Sequence, residues 1–391
     1  MTTLPELPKD SVEEILCRVP ATNLKRLRCT SKRWNRLFKD DRGFIREHSC
    51  KAAKEFLFLM LTKNHRISPI SVNLNGVVRS VEVKSELTLP HFNSNSYQFD
   101  IYQVFHCDGL LLCTHDGTPR SGFKIVVWNP FTGQARWIES QGFYFGLGYS
   151  QDKKKSCRKS YKILNFTSGT NNSEIYDFDS DSWKLVDHDI APGWTIIISG
   201  CRSVSFKGDI YWISKDLSAN NISLLRFDFS TEKSQGLPLP YERVSYAVAS
   251  LSAVRENKLS ALLQCDISSK TEIWVTNQID DTTTKGGAVS WTKVLALDLS
   301  FDLQMTDYGS FLLDEEKKVV VWLQRWLDLK DDTKSIDKIY IVGEDSLVTP
   351  LDFGVDTYSE GWPVIFNYVP SFVQVERAQF KRAGDKRKRG E

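Results

Sequence analysis

At 391 residues and 44.8 kDa the chain has length for two or three folding units, and 41% hydrophobic with 26% charged residues excludes a disordered chain. Aromatic residues reach 12%, with 11 Trp, which favours sheet-rich packing. The net charge of +2 conceals a division: residues 1–50 carry 11 Lys and Arg against 7 Asp and Glu, residues 376–391 carry 7 against 3, and the stretch between has 33 against 39. Basic ends around an acidic body give nucleic acid no extended footprint. The eight Cys are scattered and no CxxC pair occurs, so a disulfide scaffold and a zinc ribbon are both disfavoured, and a reducing compartment fits.

The first ten residues place Pro and charge where a signal peptide needs an unbroken apolar core. The apolar run from Phe56 to Leu61 is far shorter than the roughly 20 residues that span a bilayer. A soluble intracellular protein without membrane contact is expected, in which the sequons at Asn165, Asn171 and Asn221 are chance matches.

Helical periodicity opens the chain. Ser11 and Glu14 form a capping-box pattern, and Val12, Ile15, Leu16 and Val19 share one face until Pro20 ends the helix. Thr22 is placed to cap a second helix carrying Leu24 and Leu27, and Ser31 a third carrying Trp34, Leu37 and Phe38. Three short helices within residues 1–50 bury little by themselves. Their apolar faces therefore finish burial against a partner or, alternatively, against the body of the same chain.

Leu7-Pro8, Ile15-Leu16, Val19-Pro20, the stretch from Leu24 to Cys29 and the stretch from Ser31 to Trp34 together resemble an F-box. The resemblance implies a module that docks on a Skp-family adaptor, which binds a cullin in an SCF-type ubiquitin ligase. Position by position it makes Leu7, Pro8, Ile15, Leu16, Val19, Pro20, Leu24, Leu27 and Trp34 the adaptor-facing residues. Two positions depart from the family pattern: Ser11 stands where an apolar residue is usual, and Thr30 where Val is usual.

Across residues 54–376 the apolar rhythm changes to period 2, broken by turn signals such as Asn75-Gly76, Asp108-Gly109 and Lys207-Gly208-Asp209. One unit recurs: a strand ending in an aromatic and Asn or Asp, a polar turn, and a returning strand. The anchors Asn129, Asp177, Asp228 and Asn277 lie about 50 residues apart, the period of a four-stranded kelch-like propeller blade. A second hairpin precedes each copy, which gives five blades, with the Glu55 to Lys84 stretch as a sixth. Ser371 to Val375 reads as the strand that closes the ring onto the first blade. The alternative architecture is a large β-sandwich.

Val126 to Pro130, Gly146 to Tyr149, Glu174 to Asp177, Ser182 to Lys184, Tyr211-Trp212, Leu237 to Pro240, Glu272 to Val275 and Tyr368 to Ser371 resemble the F-box-associated interaction domain of plant-type F-box proteins. The resemblance implies a region that captures the protein to be ubiquitinated and leaves that target unidentified. The expected fold is thus a small all-α F-box followed by an all-β kelch-like propeller.

Chemistry is sparse. The cluster His106, Cys107, Asp108, Cys113, His115 and Asp116 suggests a metal site by composition, but it reads better as a blade hairpin with small buried Cys and edge His. No GxSxG, HExxH or phosphate-binding loop occurs, so no metal, cofactor or catalytic residue is assigned. A propeller-fold enzyme is the alternative by fold analogy alone. Phe143-Tyr144-Phe145 reads as a strand packed between blades, with an exposed recognition loop as the alternative. The tail, residues 377–391, is too charged to pack, and Lys386, Arg387, Lys388 and Arg389 form a nuclear-import candidate, so nucleus, cytoplasm or both are expected. The functional expectation is a non-catalytic substrate-recognition subunit of an SCF-type ligase. The alternative is an adaptor-bound F-box protein with a role other than ubiquitination.

Overall fold

The computed structural model describes residues 8–375 apart from 53–56, 63, 75–78, 91–98, 116–122, 141, 143, 152–157, 167–172, 187–189, 197–202, 244, 255–257, 266–269, 278, 280–288, 299–304, 307, 329–330, 345–347 and 358–362. The Asn75-Gly76 turn signal and the basic tail lie outside the described residues.

Four helices come first: α1 (Lys9–Leu16), α2 (Ala21–Arg28), α3 (Lys32–Asp40) and α4 (Arg42–Lys51). The sequence predicts three. The fourth begins at Asp41, whose carboxylate accepts the Phe44 N–H at 3.0 Å, and it buries Phe44, Ile45 and His48. Two expected caps are also corrected. Pro8 and Pro20, with φ of −50° and −54°, occupy the N-cap positions of α1 and α2, so Ser11 and Thr22 fall inside the first turns. Ser31 caps α3 as expected, accepting the Arg33 N–H at 3.1 Å.

The rest is a closed six-bladed β-propeller. Blade 1 contributes β1 (Leu57–Leu61), β2 (Ile67–Asn73) and β3 (Ser80–Val83). Blade 2 is β4 (Gln103–Cys107), β5 (Leu110–Thr114), β6 (Phe123–Asn129) and β7 (Gln134–Ser140). Blade 3 is β8 (Tyr144–Gln151), β9 (Lys159–Phe166), β10 (Ser173–Asp177) and β11 (Ser182–Val186). In blade 4, β12 (Trp194–Ile196) and β13 (Val204–Phe206) share the inner edge of β14 (Asp209–Asp216), followed by β15 (Asn221–Asp228) and β16 (Lys233–Leu237). Blade 5 is β17 (Val248–Val254), β18 (Lys258–Gln264), β19 (Thr271–Thr276) and β20 (Trp291–Leu297). Blade 6 is β21 (Ser310–Asp314), β22 (Val319–Asp328), β23 (Asp331–Gly343) and β24 (Val348–Thr357).

The ring closes through β25 (Val364–Tyr368), which pairs antiparallel with β1 from Leu57↔Tyr368 to Leu61↔Val364. The expectation that Ser371 to Val375 is the closing strand is corrected: that segment is in no strand. Its burial has two different causes. Phe372 enters the helical module, while Val373 and Val375 pack against blades 2 and 3. Each innermost strand contacts its ring neighbours, which excludes the sandwich.

The recurring unit has a physical basis in its turn. The side-chain oxygen of Asn129, Asp177 and Asp228 accepts the N–H groups two and three residues on, and the fifth residue (Gly133, Asp181, Glu232) takes positive φ. Its N–H then returns to the anchor carbonyl at 2.8–2.9 Å. At the bend of β4 and β5, Asp108 and Gly109 both take positive φ, as a two-residue hairpin turn requires. Gly109 is further constrained because a Cβ there would lie 2.7 Å from the Val369 carbonyl oxygen.

Serines stitch the inner strands together. Ser205 donates to the Leu147 carbonyl, Ser250 to the Gly309 carbonyl at 3.4 Å, and Ser310 accepts the Ile365 N–H at 2.9 Å. These bonds join blades 3 and 4, 5 and 6, and 6 and 1. A cavity of about 100 Å³ lies between the inner strands, lined among others by Phe105, Ser205, Ser250, Ser310 and Phe366. At the rim, Trp183 donates to the Glu139 carbonyl and Trp291 to the Pro238 carbonyl, so each indole bonds to the preceding blade.

Candidate adaptor face and its coupling to the propeller

The nine residues that the F-box pattern assigns divide by burial. Leu7 lies outside the described residues. Pro8 is exposed, Ile15 is 54% exposed, and Val19, Pro20, Leu27 and Trp34 are half-buried. Leu16 is buried and Leu24 is 0% exposed, so these two form the module's own core beneath that face. Ser11 and Thr30 are both exposed, and Thr30 donates to the Leu27 carbonyl at 2.8 Å. Their polar side chains thus cost the module's core nothing.

Ionic contacts knit the helices externally. Lys51 of α4 reaches Glu14 of α1 at 2.9 Å and Glu47 at 3.1 Å, and Arg18 bonds Glu14. The Lys51 and Arg18 bonds hold the Glu14 carboxyl below its ordinary range. Beneath them, burial pushes the Cys17 thiol up to about 11.

Residues that the motif reading missed fasten the helices to the propeller. Phe372, 2% exposed, inserts among Phe38, Phe131 and His48, with ring centroids 5.2–5.8 Å apart. Around it, Asn129 of blade 2, fully buried, donates its amide to the Ser371 carbonyl at 3.0 Å and the Val373 carbonyl at 2.8 Å. Gln374 donates to the Lys39 carbonyl of α3 at 2.5 Å, and the Lys25 ammonium sits 4.9 Å from the Phe131 ring centroid. The alternative of packing against the same chain is therefore realised for the inner faces of the helices, while Ile15 stays outside.

His48 occupies the same joint. Its Nε2 donates to the Val19 carbonyl at 2.9 Å, one residue before Pro20. Burial lowers its pKa, so it packs as neutral imidazole. The sequence signal for this joint was Asp41 preceding Phe44, Ile45 and His48. No local signal pairs Asn129 or Phe131 with Phe372, because they are distant in the chain.

Among the described residues the metal-like cluster is the hairpin of β4 and β5 with His115 just beyond it, and Asp116 lies outside the described residues. Cys107 lies opposite Leu110 and Cys113 opposite Val104, so the pairing does not bring the two thiols together, and both are buried. The His106 ring accepts the Gly109 N–H at 3.1 Å. Asp108 instead accepts from Lys159 at 2.5 Å and Tyr161 at 3.2 Å, tying blade 2 to blade 3. Of the aromatic run, Tyr144 and Phe145 lie in β8, with Phe145 buried against blade 2 residues and Tyr144 packed toward blade 4; Phe143 lies outside the described residues.

A helical module pinned to a propeller is the architecture of an F-box protein with a C-terminal recognition domain. Comparison with known proteins agrees: residues 4–46 match the F-box domain and residues 57–375 the F-box associated beta propeller domain. The chain is 54% identical to F-box protein ETP1 and 53% identical to F-box protein ETP2, both of Arabidopsis thaliana, over all of this chain and all of each relative. An F-box/kelch-repeat protein of the same plant is 47% identical over 98% of this chain and all of its own length. The chain belongs to the F-box proteins that carry an F-box-associated β-propeller.

Proposed function

We propose that this chain is the substrate-recognition subunit of an SCF-type ubiquitin ligase and performs no bond chemistry itself. Its F-box face, built around Ile15, Val19, Pro20 and Trp34, takes a Skp-family adaptor and through it a cullin. The propeller takes the target protein. The observation that carries this reading is the joint at Phe372: an apolar face remains outward while the inner faces are fixed to the propeller. A fixed joint holds a bound target at a set distance from the adaptor, which raises the effective concentration of its lysines near the ubiquitin donor.

Proximity labelling with the full chain tests the reading, wild type against Ile15→Glu. Proteins labelled by both forms should be more abundant with the variant, because a receptor without adaptor holds its targets without marking them. Equal abundance under both forms contradicts a degradative role.

The tail extends the proposal to address. Lys386, Arg387, Lys388 and Arg389 are read as a nuclear-import signal. Residues 377–391 fused to a reporter too large for passive entry should concentrate it in the nucleus, and a reporter that stays cytoplasmic overturns this.

A further inference from the structure

A cleft of about 520 Å³ opens where α4 meets blades 2 and 3, outside the adaptor face. Its wall carries Arg42, Arg46, Arg136, Arg158 and Lys159 against one carboxylate, Asp179. Two of these cations are internally committed. Arg136 pairs with Asp181 and bonds the Phe178 carbonyl, and Lys159 is held by Asp108 at 2.5 Å. Arg158 is only loosely held, 3.7 Å from Asp179 with both side chains more than half exposed. Arg42 and Arg46 have no ion pair with any described residue, and they stand at i and i+4 on one exposed face of α4, an arrangement of like charges that destabilises a helix.

Two guanidinium groups of the basic first 50 residues, Arg42 and Arg46, and the loosely paired Arg158 thus line one cleft. Ile45, Phe178, Val373 and Val375 also line the cleft, and of these only Phe178 is more than marginally exposed. We infer that this cleft binds an Asp- and Glu-rich segment of a partner protein, with its carboxylates on Arg42, Arg46 and Arg158. Guanidinium groups suit this role because each presents a planar fork to a carboxylate. A nucleic acid fits less well: the cations form one patch rather than a track, and Asp179 interrupts them. The inference deepens the receptor reading, since it gives the chemistry of the target segment, and it rests on that reading for the partner being a target.

The test is fluorescence anisotropy on the full chain, using a short fluorescein-labelled peptide of Glu interrupted by Leu and its Gln counterpart. Wild type should bind the Glu peptide at least about 10-fold more tightly than the Gln peptide, and more weakly as salt rises from about 50 to about 300 mM. Arg42→Glu with Arg46→Glu should weaken the Glu peptide by about 10-fold or more. Folding is expected to survive, because Arg42 opens α4, where an acidic residue is favourable, and both side chains are exposed. An unchanged melting temperature checks it, and Arg42→Gln with Arg46→Gln gives a milder second variant. Equal affinity of wild type and both variants, or tighter binding of a single-stranded oligonucleotide than of the Glu peptide, overturns the inference. Co-purification of the adaptor is scored in parallel: its loss in wild type would fell the receptor reading alone, and loss of peptide selectivity with adaptor retained would fell the cleft alone.

Discussion

Asn129 shows how one atom separates otherwise similar turns. Asp177 and Asp228 use their side chains to accept N–H groups of their own turns, and Asn129 does the same with Oδ1. Only Asn129 also donates, to two carbonyls of the C-terminal segment. Asn129→Asp removes both bonds and aims a carboxylate at two carbonyl oxygens, so urea unfolding should show a loss of about 3 kcal/mol. Asp177→Asn and Asp228→Asn keep the accepting oxygen and should cost under about 1 kcal/mol. The anchors were legible in the sequence because the acceptor and the positive-φ position sit within one short turn. The donor role was not, because its partners are contributed from the far end of the chain.

His48 gives the joint a pH dependence with a definite sign. Its folded pKa lies below 6.5 because burial disfavours the imidazolium. A lowered folded pKa means the unfolded state binds the proton more readily. The stability from this site is therefore complete above about 6.5 and lost as pH falls from there through the folded value. Amide exchange in α4, corrected for intrinsic rates, should show less protection at pH 5.5 than at pH 7.5. His48→Gln, which keeps a donor for the Val19 carbonyl, should flatten that difference.

Among the elements, α4 and β25 are where sequence pattern and structure part. In its first turn α4 carries Gly43, a poor helix former, and after Phe44 and Ile45 its buried side holds only His48, so its apolar stripe is shorter than that of α1. The C-terminal segment misleads differently: Phe372, Val373 and Val375 make it apolar enough to read as a strand, yet they are buried by two unrelated surfaces. The true closing strand has five ladder partners on β1. A chain ending at residue 363 should expose the unpaired edge of β1 and aggregate on expression. A chain ending at residue 368 should stay soluble, since the ring remains closed, while exchange in α3 and α4 rises because Phe372 is gone. Equal solubility of both chains in size-exclusion chromatography contradicts the assignment.

Taken whole, the molecule is a propeller that spends its C-terminus twice, first to close its ring and then to hold a helical module against blade 2. The fold class and the blade period were readable because each blade carries its own turn chemistry. The cleft between α4 and blade 3 was not, because Arg42 and Arg46 meet Arg158 and Lys159 only through tertiary packing. The outward face of the helices is what the functional account depends on most. Leu16 and Leu24 are unsuitable probes of it, since truncating a buried Leu costs about 2–5 kcal/mol and would unfold the module. Ile15 is exposed and separates binding from folding.

The decisive measurement is calorimetric titration of the purified full chain with a Skp-family adaptor, comparing wild type, Ile15→Glu and Leu185→Glu. Leu185 is 56% exposed on blade 3 and serves as a control for adding a charge at an exposed apolar site. Wild type and Leu185→Glu should bind with equal affinity, and Ile15→Glu should lose at least about 2 kcal/mol, roughly a 30-fold weakening, because a desolvated charge replaces a buried side chain at the interface. Unchanged binding by Ile15→Glu, or no adaptor binding by the wild-type chain, would contradict the account.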